Sequence, residues 1–261
     1  MSKRLQKTFS RSEKLLIAYS MVGYPDFESS LEVFEKLIEG GSDILEIGYP
    51  FSDPVADGST IQVAHEKALE NGIRFKHVVQ TVKTLRDRYA DVPLLVMTYY
   101  NPIFKIGLEK FVSTFAEAGA DGFIVPDLPP EESSELKEVV KKHDLALVML
   151  AAPTSTPERL KLICRTTDVF TYYVSVKGIT GEREELPLRE LEERLKLYRS
   201  LCNKKVAVGF GISKKEHAKK VGQMADAVVV GSLFVKLAGK REFDAVKQAA
   251  EELKEGLREA V

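Results

Sequence analysis

Cysteine occurs only twice in the 261 residues, at Cys164 and Cys202. Two cysteines make neither a disulfide framework nor a zinc site, and a pair of half-buried thiols in a reducing compartment is expected. An excess of charge of one sign is also missing: 38 Lys and Arg stand against 39 Asp and Glu, for a net charge of −1. That balance argues against a nucleic-acid-binding protein, which carries a basic excess on one face. No apolar run approaches the roughly 20 residues that span a bilayer. The basic N-terminus, "MSKRLQKTFSRSEK", has no apolar h-region and does not read as a secretory signal. Its composition leaves room for a short transit peptide, but a short helix leading into the first strand is the expectation. A soluble, cytoplasmic protein without a membrane partner follows. G-x-G-x-x-G is absent, so a Rossmann dinucleotide site has no support. No linker or low-complexity segment divides residues 1–261, which predicts one domain.

The histidines are sparse as well. His65, His77, His143 and His217 fall in predicted helices, without metal-ligand spacing at a strand end. They read as surface or helix-packing residues, and no metal site is expected. No Cys–His or Ser–His–Asp arrangement is placed for nucleophilic catalysis.

What is present is a regular alternation. Eight apolar, β-branched runs recur, at 14–22, 43–50, 94–100, 122–127, 146–152, 169–175, 205–211 and 227–231. Near-continuous apolar runs are the mark of parallel strands covered on both faces. The stretches between them carry helical periodicity: "FESSLEVFEKLIEGG" aligns Leu31, Phe34, Leu37 and Ile38 on one stripe and stops at Gly40 and Gly41. Three joints repeat a small residue, an aspartate and a strand: "GGSDILEIG", "AGADGFIV" and "QMADAVVVG". Together with a C-terminal helix over 240–259, the pattern predicts a single-domain (β/α)8 barrel, a TIM barrel.

In such a barrel the chemistry sits at the C-terminal ends of the strands. Glu46 lies within the second run, "DILEIGYP". Alternation puts Ile44, Glu46 and Gly48 on one face and Leu45 and Ile47 on the other. The second face suits packing on helices, so Glu46 points into the barrel mouth. A buried carboxylate there needs a cation, for which Lys177 is the main candidate, or it takes up a proton; an acid/base role is the favoured reading. Asp57 follows in a loop with Gly58, Ser59 and Thr60, where helix capping competes with a ligand role. Asp53 in "FSDP" suits a turn. Glycines after the last three strands, in "GITG", "GFGIS" and "VVVGSLFVK", suit backbone amides cradling a phosphate, with Ser232 adding a hydroxyl.

The stretch "LEIGYPFSDPVADGSTIQ" closely resembles the α-subunit signature of the tryptophan synthase family, and the likeness continues through "TYYNPIF", "PDLPPEES", "YYVSVKGITG", "GFGIS" and "VVVGSLFVK". It departs at Ser59, where proline is usual, and at Val176 and Lys177, where some members carry an arginine–serine pair. The resemblance implies cleavage of indole-3-glycerol phosphate to indole and glyceraldehyde 3-phosphate. It implies Glu46 as the acid/base and Asp57, on a mobile loop, as the carboxylate facing the indole N–H. Tyr19, Tyr99, Tyr172 and Thr180 would contact substrate. Gly181, Gly211, Gly231 and Ser232 would hold its phosphate. No cofactor is implied in this chain; a pyridoxal-phosphate-dependent β subunit is implied as partner in an α2β2 assembly. That partner would dock on the apolar loop tips at Pro50, Phe51, Pro102, Ile103, Phe104, Pro129 and Pro130, with Asp53 and Asn101 adding polar contacts at the rim. A barrel that is catalytically silent and only regulates a β-subunit partner is the alternative.

Overall fold

The computed structural model describes residues 2–174, 188–209 and 211–261. The eight apolar runs form eight parallel strands: β1 (Leu15–Met21), β2 (Ile44–Gly48), β3 (Leu94–Met97), β4 (Gly122–Ile124), β5 (Ala146–Ala151), β6 (Phe170–Val174), β7 (Lys205–Gly209) and β8 (Ala227–Val230). Each pairs with the next, and β8 pairs with β1, which closes the barrel. Before β1 lies α1 (Lys3–Phe9), and after it α2 (Phe27–Glu39). The connections from β2 and β3 carry two helices each: α3 (Ser59–Glu70) with α4 (Phe75–Arg88), and α5 (Tyr100–Ile106) with α6 (Leu108–Ala118). Then come α7 (Ser134–Lys142), α8 (Pro157–Thr166), α9 (Leu188–Leu201) and α10 (Lys215–Gly222), and β8 is followed by α11 (Ser232–Gly239) and α12 (Phe243–Arg258). None of these helices is long and apolar enough to cross a membrane.

Strand alternation divides the core into two layers. Ile17, Ile44, Leu95, Ile124, Val148, Phe170, Ala207 and Val229 point into the barrel. Leu16, Leu45, Ile47, Leu94, Val96 and Phe123 point outward against the helices. Helix α1 plugs the lower end: Leu5 and Phe9 join the inner layer, and Phe9 stacks on Phe170 with ring centroids 4.7 Å apart.

The repeated aspartate joints form a set of four at that lower end. Asp43, Asp121, Asp168 and Asp226 each accept the backbone N–H of a residue in the preceding strand, at 2.8–3.0 Å: Leu16, Leu94, Leu147 and Val206. Each is also paired with a cation. Lys254 lies 2.6 Å from Asp43, and Arg4 and Arg86 lie 2.6 and 2.7 Å from Asp121. Lys137 stands 3.6 Å from Asp168, and Arg199 and Lys205 stand 3.3 and 3.2 Å from Asp226.

One expectation fails here. Cys164 in α8 and Cys202 just past α9 are joined as a disulfide, with Cα atoms 5.8 Å apart, instead of being two thiols. Consecutive helices on the outer layer of a barrel are neighbours, so residues 38 apart in sequence meet side by side.

Candidate active site

Glu46 occupies the middle of β2, opposite Tyr19 of β1 in register. Its side chain points into the upper barrel, as alternation predicts, and the residue is 1% exposed. Neither carboxylate oxygen meets a hydrogen-bond partner among the described residues. Lys177, the cation expected near it, lies outside the described residues. Burial, followed by the nearby charge of Asp57, pushes the Glu46 carboxyl up to about 8. At neutral pH Glu46 therefore carries a proton.

Two tyrosines flank this carboxyl. Tyr19 and Tyr172 are buried, and both phenols are raised well above the ordinary range, chiefly by burial and then by the charges of Asp57 and Glu46. Their rings fit because glycines end the neighbouring strands. A Cβ on Gly48 would lie 2.5 Å from the Tyr19 hydroxyl, and one on Gly209 would lie 3.0 Å from the Tyr172 hydroxyl. Gly231, at the end of β8, also packs against the Tyr19 ring; a Cβ there would approach it to 3.3 Å.

Asp57 stands just before α3, whose N-cap is Gly58. The N-cap position is thus a glycine, which has no side chain to cap with, and Asp57 lies one residue before it. The Asp57 carboxylate instead receives the Tyr99 hydroxyl at 2.7 Å and faces His65 Nε2 at 3.0 Å. The Tyr99 hydroxyl in turn accepts the Ala56 N–H at 3.0 Å, and burial followed by the Asp57 charge raises its pKa. Phe51 stacks on Tyr99 with centroids 5.3 Å apart, and its N–H donates to His65 Nδ1 at 2.9 Å. His65 is thus part of the site, which its reading as a surface or helix-packing residue missed. The available signal was position: a buried-face polar residue two turns into the helix that follows Asp57.

The glycines divide. Gly211 follows β7 with φ +62°, exposed and with open space around it. Gly231 is the N-cap of α11 and Ser232 its first, exposed residue, so both stand at the end of β8, the strand beside β7. Thr180, Gly181 and Val176 lie outside the described residues.

The apolar loop tips divide as well. Phe104 is 67% exposed; Asn101, in the same helix α5, and Asp53, in the loop after β2, are exposed too. Ile103 and Pro50 are buried and Phe51 is half-buried, so these side chains turn inward instead of offering a surface. Among the described residues, no group of three His, Cys, Asp or Glu side chains is placed to hold a metal ion.

A family model described as "Tryptophan synthase alpha chain" matches residues 5–261. The chain belongs to the tryptophan synthase alpha chain family. It is 59% identical over 249 residues to the tryptophan synthase alpha chain of Aquifex aeolicus, covering 95% of each. A solved structure from the same organism superposes with a TM-score of 0.92 at 55% identity, over 99% of this chain and 100% of that one. A chain of Mycobacterium tuberculosis tryptophan synthase gives 0.91 at 34% identity, with 99% of each chain covered. Like its family, this chain is a carbon–carbon lyase of tryptophan biosynthesis: it cleaves indole-3-glycerol phosphate to indole and glyceraldehyde 3-phosphate by a retro-aldol reaction.

Proposed function

We propose that Glu46 and Asp57 divide this chemistry between them. Protonated Glu46 delivers its proton to C3 of the indole ring. The ring becomes an indoleninium with positive charge at N1, and the Asp57 carboxylate accepts the N1–H and offsets that charge. Glu46, now a carboxylate, takes the proton of the hydroxyl on the attached carbon. The C–C bond breaks as the aldehyde forms, and its electron pair returns the ring to neutral indole. The observation that carries this reading is the buried Glu46 carboxyl, without a hydrogen-bond partner among the described residues and pushed up to about 8.

Tyr19 and Tyr172 would wall the indole site. The phosphate would rest on backbone amides of Gly181, Gly211 and Gly231 and on Ser232, which suits a helix N-terminus following β8. Residues 1–261 act as one barrel domain in this reading. The partner is a pyridoxal-phosphate-dependent β subunit in an α2β2 assembly, docked over the exposed Phe104 with Asp53 and Asn101 at the rim. A cytoplasmic location goes with it, since a phosphorylated substrate does not cross a bilayer unaided. The test is turnover of indole-3-glycerol phosphate by wild type and Asp57→Asn. Free indole from wild type and a kcat loss of about a hundredfold in the variant are expected, the size of one lost electrostatic contact to the transition state. Unchanged kcat in Asp57→Asn removes Asp57 from the mechanism.

A further inference from the structure

His65 sits on the buried face of α3, with Ile61, Ala64 and Ala68, and is 3% exposed. Helical side chains lean toward the N-terminus of their helix, so the imidazole reaches back to the loop that precedes α3. There it touches both ends of that loop at once. Its Nδ1 accepts the N–H of Phe51, where the chain leaves β2. Its Nε2 lies 3.0 Å from Asp57 Oδ2, where the chain enters α3.

The first contact fixes the second. A backbone N–H can only donate, so Nδ1 presents a lone pair and the ring proton resides on Nε2. The imidazole therefore donates to Asp57. Tyr99, the N-cap of α5 in the next βα connection, donates to the same oxygen. Among the described residues, these two hydrogen bonds to the Asp57 carboxylate both end on Oδ2, which leaves Oδ1 for a ligand.

We infer that His65 is a positioning residue for the cleavage reaction: one neutral imidazole ties Phe51 to Asp57 and aims the other carboxylate oxygen at the indole N–H before substrate arrives. A loop bearing Asp57 that closes only over substrate would need no such tie. The inference rests on the reading of Asp57 as the acceptor of N1–H, and the experiment separates the two.

Steady-state kinetics on indole-3-glycerol phosphate are measured for His65→Ala, His65→Gln, Asp57→Asn and the double variant His65→Ala/Asp57→Asn, with thermal melts of each. His65→Ala is expected to lose about tenfold to a hundredfold in kcat, the size of one hydrogen bond to a charged acceptor, with a smaller change in KM. His65→Gln keeps an amide donor for Asp57 and recovers part of that loss. In the Asp57→Asn background, removing His65 costs little more, because the group it aims is already altered. Tyr99→Phe, which removes the other donor to Oδ2, is measured alongside and carries the same cycle if His65→Ala does not fold. Wild-type kcat in His65→Ala, or losses that multiply in the double variant, overturns the positioning role while leaving Asp57 in place. Wild-type kcat in Asp57→Asn overturns the Asp57 reading and the inference with it.

Discussion

The two ends of the barrel treat their buried and half-buried carboxylates in opposite ways. At the lower end, Asp43, Asp121, Asp168 and Asp226 each hold a strand N–H and each face at least one cation. At the upper end, Glu46 is as deeply buried as Asp121 and has no partner among the described residues. An ion removed from water without compensation costs several kcal/mol; the lower aspartates have cations beside them, and Glu46, without a partner among the described residues, takes a proton instead. The lower end uses its carboxylates to fix strand to strand. The upper end, in the proposed mechanism, holds one in reserve for the reaction.

The comparison breaks if the two ends trade effects. Glu46→Gln keeps the shape of a protonated carboxyl and removes the exchangeable proton. Its kcat for indole-3-glycerol phosphate should fall by roughly 10²–10⁴-fold, with folding stability at neutral pH nearly unchanged. Asp121→Ala should do the reverse. It strands Arg86, 12% exposed at its side chain, and leaves the Leu94 N–H without its acceptor. A loss of about 3–5 kcal/mol is expected in denaturant unfolding, with kcat of the folded fraction close to wild type. A large kcat defect in Asp121→Ala would mean that the lower end reaches into the chemistry.

A pH series sharpens the same contrast with a smaller signal. Glu46 binds its proton up to about pH 8 in the folded chain, against an ordinary value of 4.5. Its folded value is raised, so its contribution to stability is whole below pH 4.5 and is lost as pH rises through 8. Stability should decline across that window in wild type and decline less in Glu46→Gln. Because the proposed mechanism needs the protonated acid in the free enzyme, kcat/KM should drop by about tenfold per pH unit above 8. A flat kcat/KM profile to pH 9.5 would show that the Glu46 proton is not the one transferred.

Much of this was legible in the residues, and the exceptions share a cause. Each of the eight apolar runs contains its strand, and alternation alone aimed Glu46 inward, because side-chain direction in a strand is a local property. Three of the four lower aspartates were visible as a repeat. The fourth, Asp168, follows Thr167 instead of a small residue; Thr167 adds its own bonds, accepting the Met149 N–H and donating to the Phe170 carbonyl. What stayed hidden depended on elements meeting in space. His65 joins the site only because α3 folds back along its own preceding loop. Phe51 turns inward because Tyr99, from the next βα connection, offers a ring to stack on. The disulfide needed two consecutive helices to lie side by side, and the spacing of two cysteines carries no record of that.

That disulfide changes what kind of object the polypeptide is. Residues 164–202 form a closed covalent ring with two tails, and the ring carries β6, Tyr172 and all of α9. A backbone cut in either tail divides the molecule into two pieces. A cut inside the ring merely opens it: the pieces on either side stay one molecule and part only when the sulfur bridge is reduced.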